Sequence, residues 1–365
     1  MPKKETWFRQ ALLKSRRRGL QLLRYAFITC AIAVMLMTGC ASPSRSQPLN
    51  NSQNFVQPQG AASFILSAFK DYPIVALGRV EGAGNRNQLT LFTDLLDSAE
   101  FASTVGDIVI ECGNSLYQPL LDRYVAGENV SLHQLEVVWQ KTTQFIGCEA
   151  DPTTKDLLLA VRAANKRYLK AQRLRVLAAD PAMDWAKVHT PKQLSDFLDE
   201  RNASAAKVIE TEVLAKHAKA LVIIGGGHLM KRTGRANDVT ITMLVSQKYP
   251  RATYVIIPLT DFDKMSRTLR SKLDKWPVPS IAAIRGTGLG AMNARIITSS
   301  DTMMRIGSRW VPVDNAYPGL KLEDLFDAAL FLGPAKALQT VDLQEPTDPA
   351  YIHELNRLRH LLMSL

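Results

Sequence analysis

The sequence predicts an α/β fold: a mostly parallel sheet with helices on both faces, followed by an irregular C-terminal excursion. Short Val/Ile/Leu-rich runs recur along the chain, and longer segments with helical spacing separate them. Each run is continuously apolar, which is typical of strands that are buried on both faces. Because parallel strands need a long crossover connection, usually a helix, this alternation indicates a parallel sheet.

Six apolar runs are predicted to be strands, since turn-forming or polar residues bound each of them. In chain order these strands are residues 74–77, 108–110, 174–178, 220–224, 254–257 and 328–332. Between them, apolar residues repeat every three or four positions, which predicts helices. These helices are residues 87–96, 117–125, 132–139, 156–169 and 206–217.

Capping boxes mark the start of two helices. Ser131 with Gln134, and Thr190 with Gln193, have the spacing at which side chain and backbone cap each other. Pro191 suits the first helical position, where its missing N–H costs nothing. We therefore predict that helices begin directly after Ser131 and Thr190.

Residues 276–320 carry more Pro and Gly and weaker periodicity than the rest of the chain. We expect an irregular insertion or a hairpin there, laid over the main sheet. All of residues 61–365 is expected to form a single domain, since about 300 residues suit one large domain. The run Gly-Thr-Gly-Leu-Gly at 286–290 lacks the full dinucleotide fingerprint, so no nucleotide site is predicted.

The N-terminus has the pattern of an export signal. Residues 1–39 combine a basic leader with an apolar run at 25–37, which is shorter than the roughly 20 residues that a transmembrane helix needs. The exit, Leu-Met-Thr-Gly-Cys at 36–40, resembles a bacterial lipobox, in which Cys40 takes the lipid. We therefore expect a cleaved signal peptide and a lipid anchor on a bacterial membrane, facing the periplasm or the cell surface. A plain secretory signal is the alternative.

Residues 40–60 are rich in Ser, Asn, Gln and Pro and are predicted to be a flexible tether, because they bury too little apolar surface to order themselves. Residues 1–39 hold eight of the 45 Lys+Arg but only one of the 34 Asp+Glu. The remaining chain is nearly balanced in charge, so its basic pI does not indicate a nucleic-acid partner. The predicted partners are the lipid membrane, through Cys40, and a small-molecule ligand.

Two cysteines, Cys112 and Cys148, follow Cys40 in the chain. In an oxidising compartment the expected state is a disulfide between them. Two buried free thiols, or a pair of ligands for a soft metal, are the alternatives. A bridge would tie the segment after Glu111 to the segment after Trp139.

Polar residues follow four of the predicted strands at their carboxyl ends. Glu81 follows the first strand, and Glu111 follows the second. Asp180 follows the third strand, and His228 follows the fourth. Ligands of open parallel sheets bind outside these ends. We therefore predict that Glu111 and His228 meet at one cleft as the main catalytic candidates, with Asp180 as a third.

Further residues at the strand ends are candidate ligand contacts. They are Arg79, Glu81, Asn114 and Gly227. Gly227 belongs to three consecutive glycines, whose entropy cost suits a place where the backbone passes close to another group. Structural roles are the alternative at each position: hydrogen bonding for His228 and Glu111, and a turn for Asp180. Arg79 alternatively forms an ion pair with a nearby carboxylate.

The strand-end motifs resemble the erythromycin-esterase, Tiki and haem-binding ChaN superfamily, in an exported bacterial branch. The resemblance covers most of residues 70–335 and depends on the order of several short motifs. These motifs are Val-Ala-Leu-Gly at 75–78, Ile-Val-Ile-Glu-Cys-Gly-Asn at 108–114, Arg-Val-Leu-Ala-Ala-Asp-Pro at 175–181 with Asp184 and Trp185, residues 220–228, and Leu-Phe-Leu-Gly-Pro at 330–334.

The resemblance implies an α/β fold and a polar cleft lined by a Glu and a His from the first motif, a Glu after the second strand and a His after a glycine turn. Glu111 and His228 match the last two. Where the family has Gly-Glu-x-x-His, this chain has Arg79 in the place of the acid and Gly82 in the place of the histidine. That change removes a proton-transfer group and a metal ligand.

Three functions remain open from the sequence. The first is a lipoprotein that binds a small ligand, a divalent metal or haem, with His228 and Glu111 as candidate metal ligands. The second is a hydrolase of esterase or peptidase type, acid–base or metal-assisted, that uses the same two residues. The third is a degenerate relative with a structural cleft. The altered first motif, with Arg79 and Gly82, favours the binding protein or the degenerate relative over the hydrolase.

Overall fold

The structure, a computed structural model, describes residues 55–169, 172–233, 239–260, 265–297, 303–306, 309–312 and 319–365. The predicted signal peptide, Cys40 and most of the predicted tether lie outside the described residues. Among the helices that are described, none is both long enough and apolar enough to cross a membrane.

Strands recur along the described chain, as the apolar runs predict. They are β1 (Gln59–Gly60), β2 (Ile74–Arg79), β3 (Asp107–Asn114), β4 (Arg175–Asp180), β5 (Ala220–Gly225), β6 (Thr253–Pro258), β7 (Ser280–Ala283), β8 (Met303–Ile306), β9 (Arg309–Pro312) and β10 (Ala328–Phe331). All six predicted strands are confirmed. Several extend further toward their carboxyl ends than the apolar runs do.

Eight of these strands form one sheet, in the order β1-β7-β10-β6-β2-β5-β3-β4. The pairs from β10 to β4 are all parallel. Only β7, between β1 and β10, runs antiparallel to its neighbours. The predicted mostly parallel sheet is therefore confirmed.

Helices fill the connections between the strands. They are α1 (Ala61–Ala68), α2 (Asn85–Leu96), α3 (Ala99–Thr104), α4 (Gln118–Ala126), α5 (Leu132–Leu135), α6 (Val137–Gln140), α7 (Thr153–Arg167), α8 (Pro191–Asp199), α9 (Arg201–Val208), α10 (Gly226–Leu229), α11 (Ile241–Lys248), α12 (Arg267–Leu273), α13 (Leu322–Leu325) and α14 (Pro349–Met363). Both predicted capping boxes are present, at the starts of α5 and α8.

Apolar side chains cover the sheet on both faces. Along β2, Ile74 and Ala76 pack into one buried cluster, whereas Val75 and Leu77 pack into another. Successive side chains of a strand point to opposite faces, so each cluster lies on its own side of the sheet. This two-sided burial explains why the strands are continuously apolar.

The C-terminal helix α14 packs over the loops that follow β3 and β4. Tyr351 stacks on Trp185 with ring centroids 5.5 Å apart, and Leu355 and Leu358 are buried in the same cluster. Arg357 donates hydrogen bonds to the carbonyl oxygens of the Trp185 turn. Helix α14 therefore holds the loops that carry several site residues.

Three elements differ from the sequence-based expectations. Strand β7 lies within the region expected to be an irregular insertion or a hairpin but joins the main sheet, while β8 and β9 pair antiparallel in a separate two-stranded sheet. The helix expected at 206–217 is only partly regular, since a π-helical turn (Ile209–Val213) and a 3-10 turn (Leu214–Lys216) follow α9. The sheet also begins at β1, inside the stretch expected to be tether.

Candidate functional site

The predicted site residues converge at one edge of the sheet. Strands β2, β5, β3 and β4 are neighbours and parallel, so their carboxyl ends lie side by side. Arg79 pairs with Gly225 in the register of β2 and β5, and Glu111 lies on the neighbouring β3. His228 follows β5 in the short helix α10.

Glu111 is buried and held by three donors. Its carboxylate accepts hydrogen bonds from Arg79 Nε and from Gln144 Nε2, both at 2.9 Å. The backbone N–H of Gly225 donates a third, at 3.0 Å. An ionised carboxylate on a buried strand needs such partners, and here both of its oxygens are used.

Arg79 lies at the centre of a carboxylate network. Its guanidinium also pairs with Glu81, whose side chain is 70% exposed, and its Nη1 lies 3.6 Å from Asp151 Oδ2. Nη1 is buried and makes no hydrogen bond within the described residues. Arg79 thus compensates two buried carboxylates, those of Glu111 and Asp151.

The charges around Glu111 favour its ionised form. Burial alone would raise the pKa of this carboxyl, but the positive charge of Arg79, followed by that of His228, outweighs burial. Hydrogen bonds from Arg79 and Gly225 add to the effect and hold the pKa of Glu111 below its usual range. Glu111 is therefore a carboxylate at neutral pH and a weak base.

His228 stands beside this carboxylate and reaches solvent. Its Nε2 lies 3.7 Å from Glu111 Oε1, and its side chain is 34% exposed. The other ring nitrogen, Nδ1, lies 2.6 Å from Asn202 Oδ1. The predicted meeting of an acid and an imidazole from two different strands is thus what the structure shows.

The glycines before His228 permit this approach. A Cβ at Gly226 would lie 2.4 Å from Ile257 Cδ1, and a Cβ at Gly225 would lie 3.3 Å from Glu111 Oε1. A side chain at either position would therefore displace a neighbour. Close packing against Ile257 and Glu111 accounts for Gly226 and Gly225, two of the three glycines whose entropy cost suggested a close approach.

Asp180 ends β4 and is buried beside the same cavity. It accepts hydrogen bonds from the backbone N–H and the hydroxyl of Thr143, and Arg201 Nε donates to that hydroxyl at 2.6 Å. Burial raises the pKa of Asp180 to about 7, against the opposing effects of Arg201 and the Thr143 hydrogen bonds. Two carboxyls at one site thus have pKa values shifted in opposite directions.

A small cavity opens between these groups. It has a volume of about 20 Å³, and its polar lining comes from six side chains, those of Glu111, Gln144, Asp180, Arg201, Asn202 and His228. A second cavity, of about 30 Å³, lies on the other side of Glu111 against Arg79, Asn85 and Thr154. A groove of about 740 Å³ between residues 133–155 and the C-terminal segment is separate from the His228 cavity, although Asp151 lines it.

The residues present do not fit a metal ion or a haem at His228. The Arg79 guanidinium already lies against Glu111, so a cation on that carboxylate would meet a second positive charge. Catalytic zinc usually has three protein ligands, and within the described ranges no group of three His, Cys, Asp or Glu side chains is arranged to hold a metal ion. Small-molecule pockets measure about 300–1,000 Å³, far above the volume of the His228 cavity.

All four predicted ligand contacts lie outside the lining of the His228 cavity, and Arg79 lines the second cavity instead. Asn114 is fully buried and uses its side chain within the protein, donating to the carbonyl oxygens of Lys141 and Met183 and accepting from the N–H of Leu116. The Glu81 carboxylate extends into solvent from Arg79. Gly227 is exposed and does not line the cavity.

Sequence reasoning missed Gln144, Asn202 and Arg201. No sequence motif marks Asn202 or Arg201, because neither lies at a strand end. Gln144 had an indirect signal: the predicted Cys112–Cys148 disulfide is present, with a Cα–Cα distance of 5.7 Å. That bridge brings the loop of Gln144 to the residue that follows Glu111.

No family model and no curated protein matches this sequence. Solved structures that are similar to the chain include a succinoglycan biosynthesis protein, which is 10% identical with a TM-score of 0.48 and covers 80% of this chain and 96% of that chain. An erythromycin esterase mutant in its open conformation is 11% identical with a TM-score of 0.47, covering 78% of this chain and 95% of that chain.

The haem-binding ChaN of Campylobacter jejuni is 16% identical with a TM-score of 0.33, covering 54% of this chain and 84% of that chain. Identities this low concern the fold alone.

Proposed function

We propose that this protein is an exported, lipid-anchored binding protein that takes a polar group of a small ligand at His228, without a metal or haem. The observation that carries the proposal is the state of Glu111. Three donors hold this carboxylate in its ionised form, while the neighbouring His228 reaches solvent and lines a cavity. Glu111 then sets the charge of the cavity rather than taking up protons.

The size of the cavity limits what enters it. A volume of about 20 Å³ admits a group no larger than a water molecule. A ligand would therefore insert one polar group beside His228 and keep its remaining atoms outside. Arg201, Asn202 and Asp180 supply further polar contacts around that group.

Ligand binding is tested on protein purified from its native envelope. Mass spectrometry of small molecules released on denaturation should show a compound that is retained by the wild type and lost from His228→Ala. His189→Ala is the matched control, since His189 is exposed and does not line the cavity. Equal small-molecule content in the wild type and in His228→Ala would refute binding at this residue.

The lipid anchor is a proposal from the sequence, because Cys40 lies outside the described residues. Palmitate labelling in bacterial cells should be lost in Cys40→Ala and retained in Cys30→Ala, whose cysteine belongs to the predicted signal peptide. Labelling that persists in Cys40→Ala would exclude Cys40 as the anchor, and a wild type that takes up no palmitate would leave a plain secretory signal.

A second candidate function is an acid–base hydrolase, and one observation favours it. Glu111 and Asp180 line the same cavity with pKa values shifted in opposite directions, an arrangement that separates a proton donor from a stabilising carboxylate. His228 would then act on water as the base. Turnover of ester or peptide substrates that is lost in His228→Ala and in Asp180→Asn, with both variants folded by circular dichroism, would establish the hydrolase over simple binding.

A further inference from the structure

The described chain enters the domain beside helix α12. Phe55, the first described residue, lies edge-on to Trp276 with ring centroids 6.5 Å apart, and Lys272 Nζ lies 4.5 Å from the centroid of the Phe55 ring. Strand β1 follows closely and pairs with β7 at one edge of the sheet. The proposed anchor at Cys40 is therefore connected to the domain at this edge.

Helix α12 and the turn after it present positive charge at this edge. Leu269 and Leu273 are the buried residues of the helix. Four basic side chains of the segment reach the surface and together form the α12 surface: Arg267, Arg270, Lys272 and Lys275. Among the described residues, no carboxylate forms an ion pair with any of the four. Their charge is therefore free to meet an outside partner.

A second basic stretch lies before β4, at the opposite edge of the sheet, but the protein uses much of its charge internally. Arg167 pairs with Asp97, and Arg175 pairs with Glu212. Arg162 donates to three backbone carbonyl oxygens. Strand β4 lies seven strand positions from β1, which amounts to about 34 Å at about 4.8 Å per strand. The α12 surface is thus both the basic surface without carboxylate partners and the one beside the entry of the chain.

We propose that the α12 surface docks onto anionic phospholipid headgroups of the membrane that carries the anchor. Phe55 follows Cys40 by fifteen positions, and an extended chain spans at most about 3.5 Å per residue, so the anchor keeps this edge within about 50 Å of the bilayer. Anionic leaflets attract Lys and Arg side chains. Val278, in the loop after the helix, is 54% exposed and adds an apolar contact of the kind that interfacial segments use. The anchor is part of the proposed function, whereas the charged surface does not depend on it.

Docking is measured by lysine footprinting of the full chain on vesicles. A water-soluble acetylating reagent modifies exposed lysines, and mass spectrometry gives the rate at each site. We expect Lys275 to be protected on vesicles of phosphatidylglycerol and phosphatidylcholine, but not on phosphatidylcholine alone or at high salt, where the attraction is absent or screened. Lys166, which is exposed at the end of α7, should react equally on both kinds of vesicle. Equal rates at Lys275 on both would overturn the proposal.

A pair of charge reversals tests whether the α12 surface carries the attraction. Each positive charge near an anionic surface favours docking by about fivefold, so Arg267→Glu, which changes the charge by two, should lower the docking equilibrium by about 25-fold. Arg173→Glu is the matched control, because Arg173 is also exposed and lies beside β4 at the opposite edge. Equal protection of Lys275 in the two variants would contradict docking through this surface.

Flotation of the same proteins separates the surface from the anchor. On phosphatidylcholine at high salt, flotation reports the lipid anchor alone. A wild type that floats there, with Lys275 unprotected on phosphatidylglycerol vesicles, would retain the anchor and refute the surface. A wild type that floats only on phosphatidylglycerol vesicles, with flotation lost in Arg267→Glu, would refute the anchor and support the surface.

Discussion

Replacing Arg79 by methionine removes the positive charge that compensates Glu111 while keeping an unbranched side chain of similar reach. The side chains of Arg79 and Glu111 are 8% and 10% exposed, so solvent screens this ion pair weakly. Removing one partner of a buried pair leaves an uncompensated charge and costs about 3–5 kcal/mol. We expect Arg79→Met to lower the free energy of unfolding by that amount at pH 7.

The effect of Arg79→Met should depend on pH. In the wild type the pKa of Glu111 is lowered, so its stabilising contribution is present above the unfolded pKa of about 4.3 and is lost as the pH falls through the folded pKa. In Arg79→Met, burial acts without Arg79 and should raise the pKa of Glu111, so the variant gains stability as the pH falls. The difference in unfolding free energy between the wild type and Arg79→Met should therefore narrow from pH 7 toward pH 4.

Urea unfolding followed by circular dichroism measures these free energies. The double variant Arg79→Met/Glu111→Gln provides the control, because it removes both charges of the pair. Asp151 keeps its hydrogen bond from the backbone N–H of Thr153 in this variant. The double variant should lose less unfolding free energy than the sum of the losses in Arg79→Met and Glu111→Gln, by about 2 kcal/mol or more, since the two residues are directly coupled. An unfolding free energy of Arg79→Met that stays within about 1 kcal/mol of the wild-type value at every pH would show that Arg79 does not compensate the buried charge of Glu111.

Two further predictions concern the groups around this pair. The folded pKa of Asp180, about 7, lies above its unfolded value of about 3.9, so the stabilising contribution of Asp180 is complete below the unfolded value and is lost as the pH rises through 7. The urea unfolding midpoint of the wild type should therefore fall between pH 5 and pH 8, and that of Asp180→Asn should fall less. Equal slopes of midpoint against pH in the two proteins would contradict the raised pKa. The Cys112–Cys148 bridge closes a loop with a sequence separation of 36. By chain entropy, the double variant Cys112→Ala/Cys148→Ala should lose about 4 kcal/mol of unfolding free energy in the same urea assay. An unchanged unfolding midpoint would show that other contacts hold the loop.

The parallel sheet and the meeting of Glu111 with His228 were predictable because both follow from local pattern. Continuously apolar runs identify strands that are buried on both faces, and the carboxyl ends of parallel strands share one edge. Strand β7 was not predictable in the same way. It has only four residues, Ser280 to Ala283, and lies directly after prolines that suggested irregular structure. Its place in the sheet comes from pairing with β1 and β10, which are distant in sequence.

The roles of Gln144 and Asn202 could not be read from sequence for a different reason. Each acts through one polar atom that meets a residue 33 or 26 positions away, and no periodicity or motif encodes such a contact. Asn114 shows the converse. It lies at a strand end, where ligands are expected, yet its side chain is consumed by hydrogen bonds to Lys141, Met183 and Leu116. Position at a strand end therefore predicts proximity to a site better than it predicts function.

The charges of the site explain why a metal ion does not suit its cavity. Arg79 faces the buried carboxylates of Glu111 and Asp151 and also pairs with the exposed Glu81. Across the cavity, Arg201 donates to the Thr143 hydroxyl that holds Asp180. A metal ion bound to Glu111 would therefore meet the positive charge of Arg79, whereas a neutral polar group would leave these ion pairs unchanged.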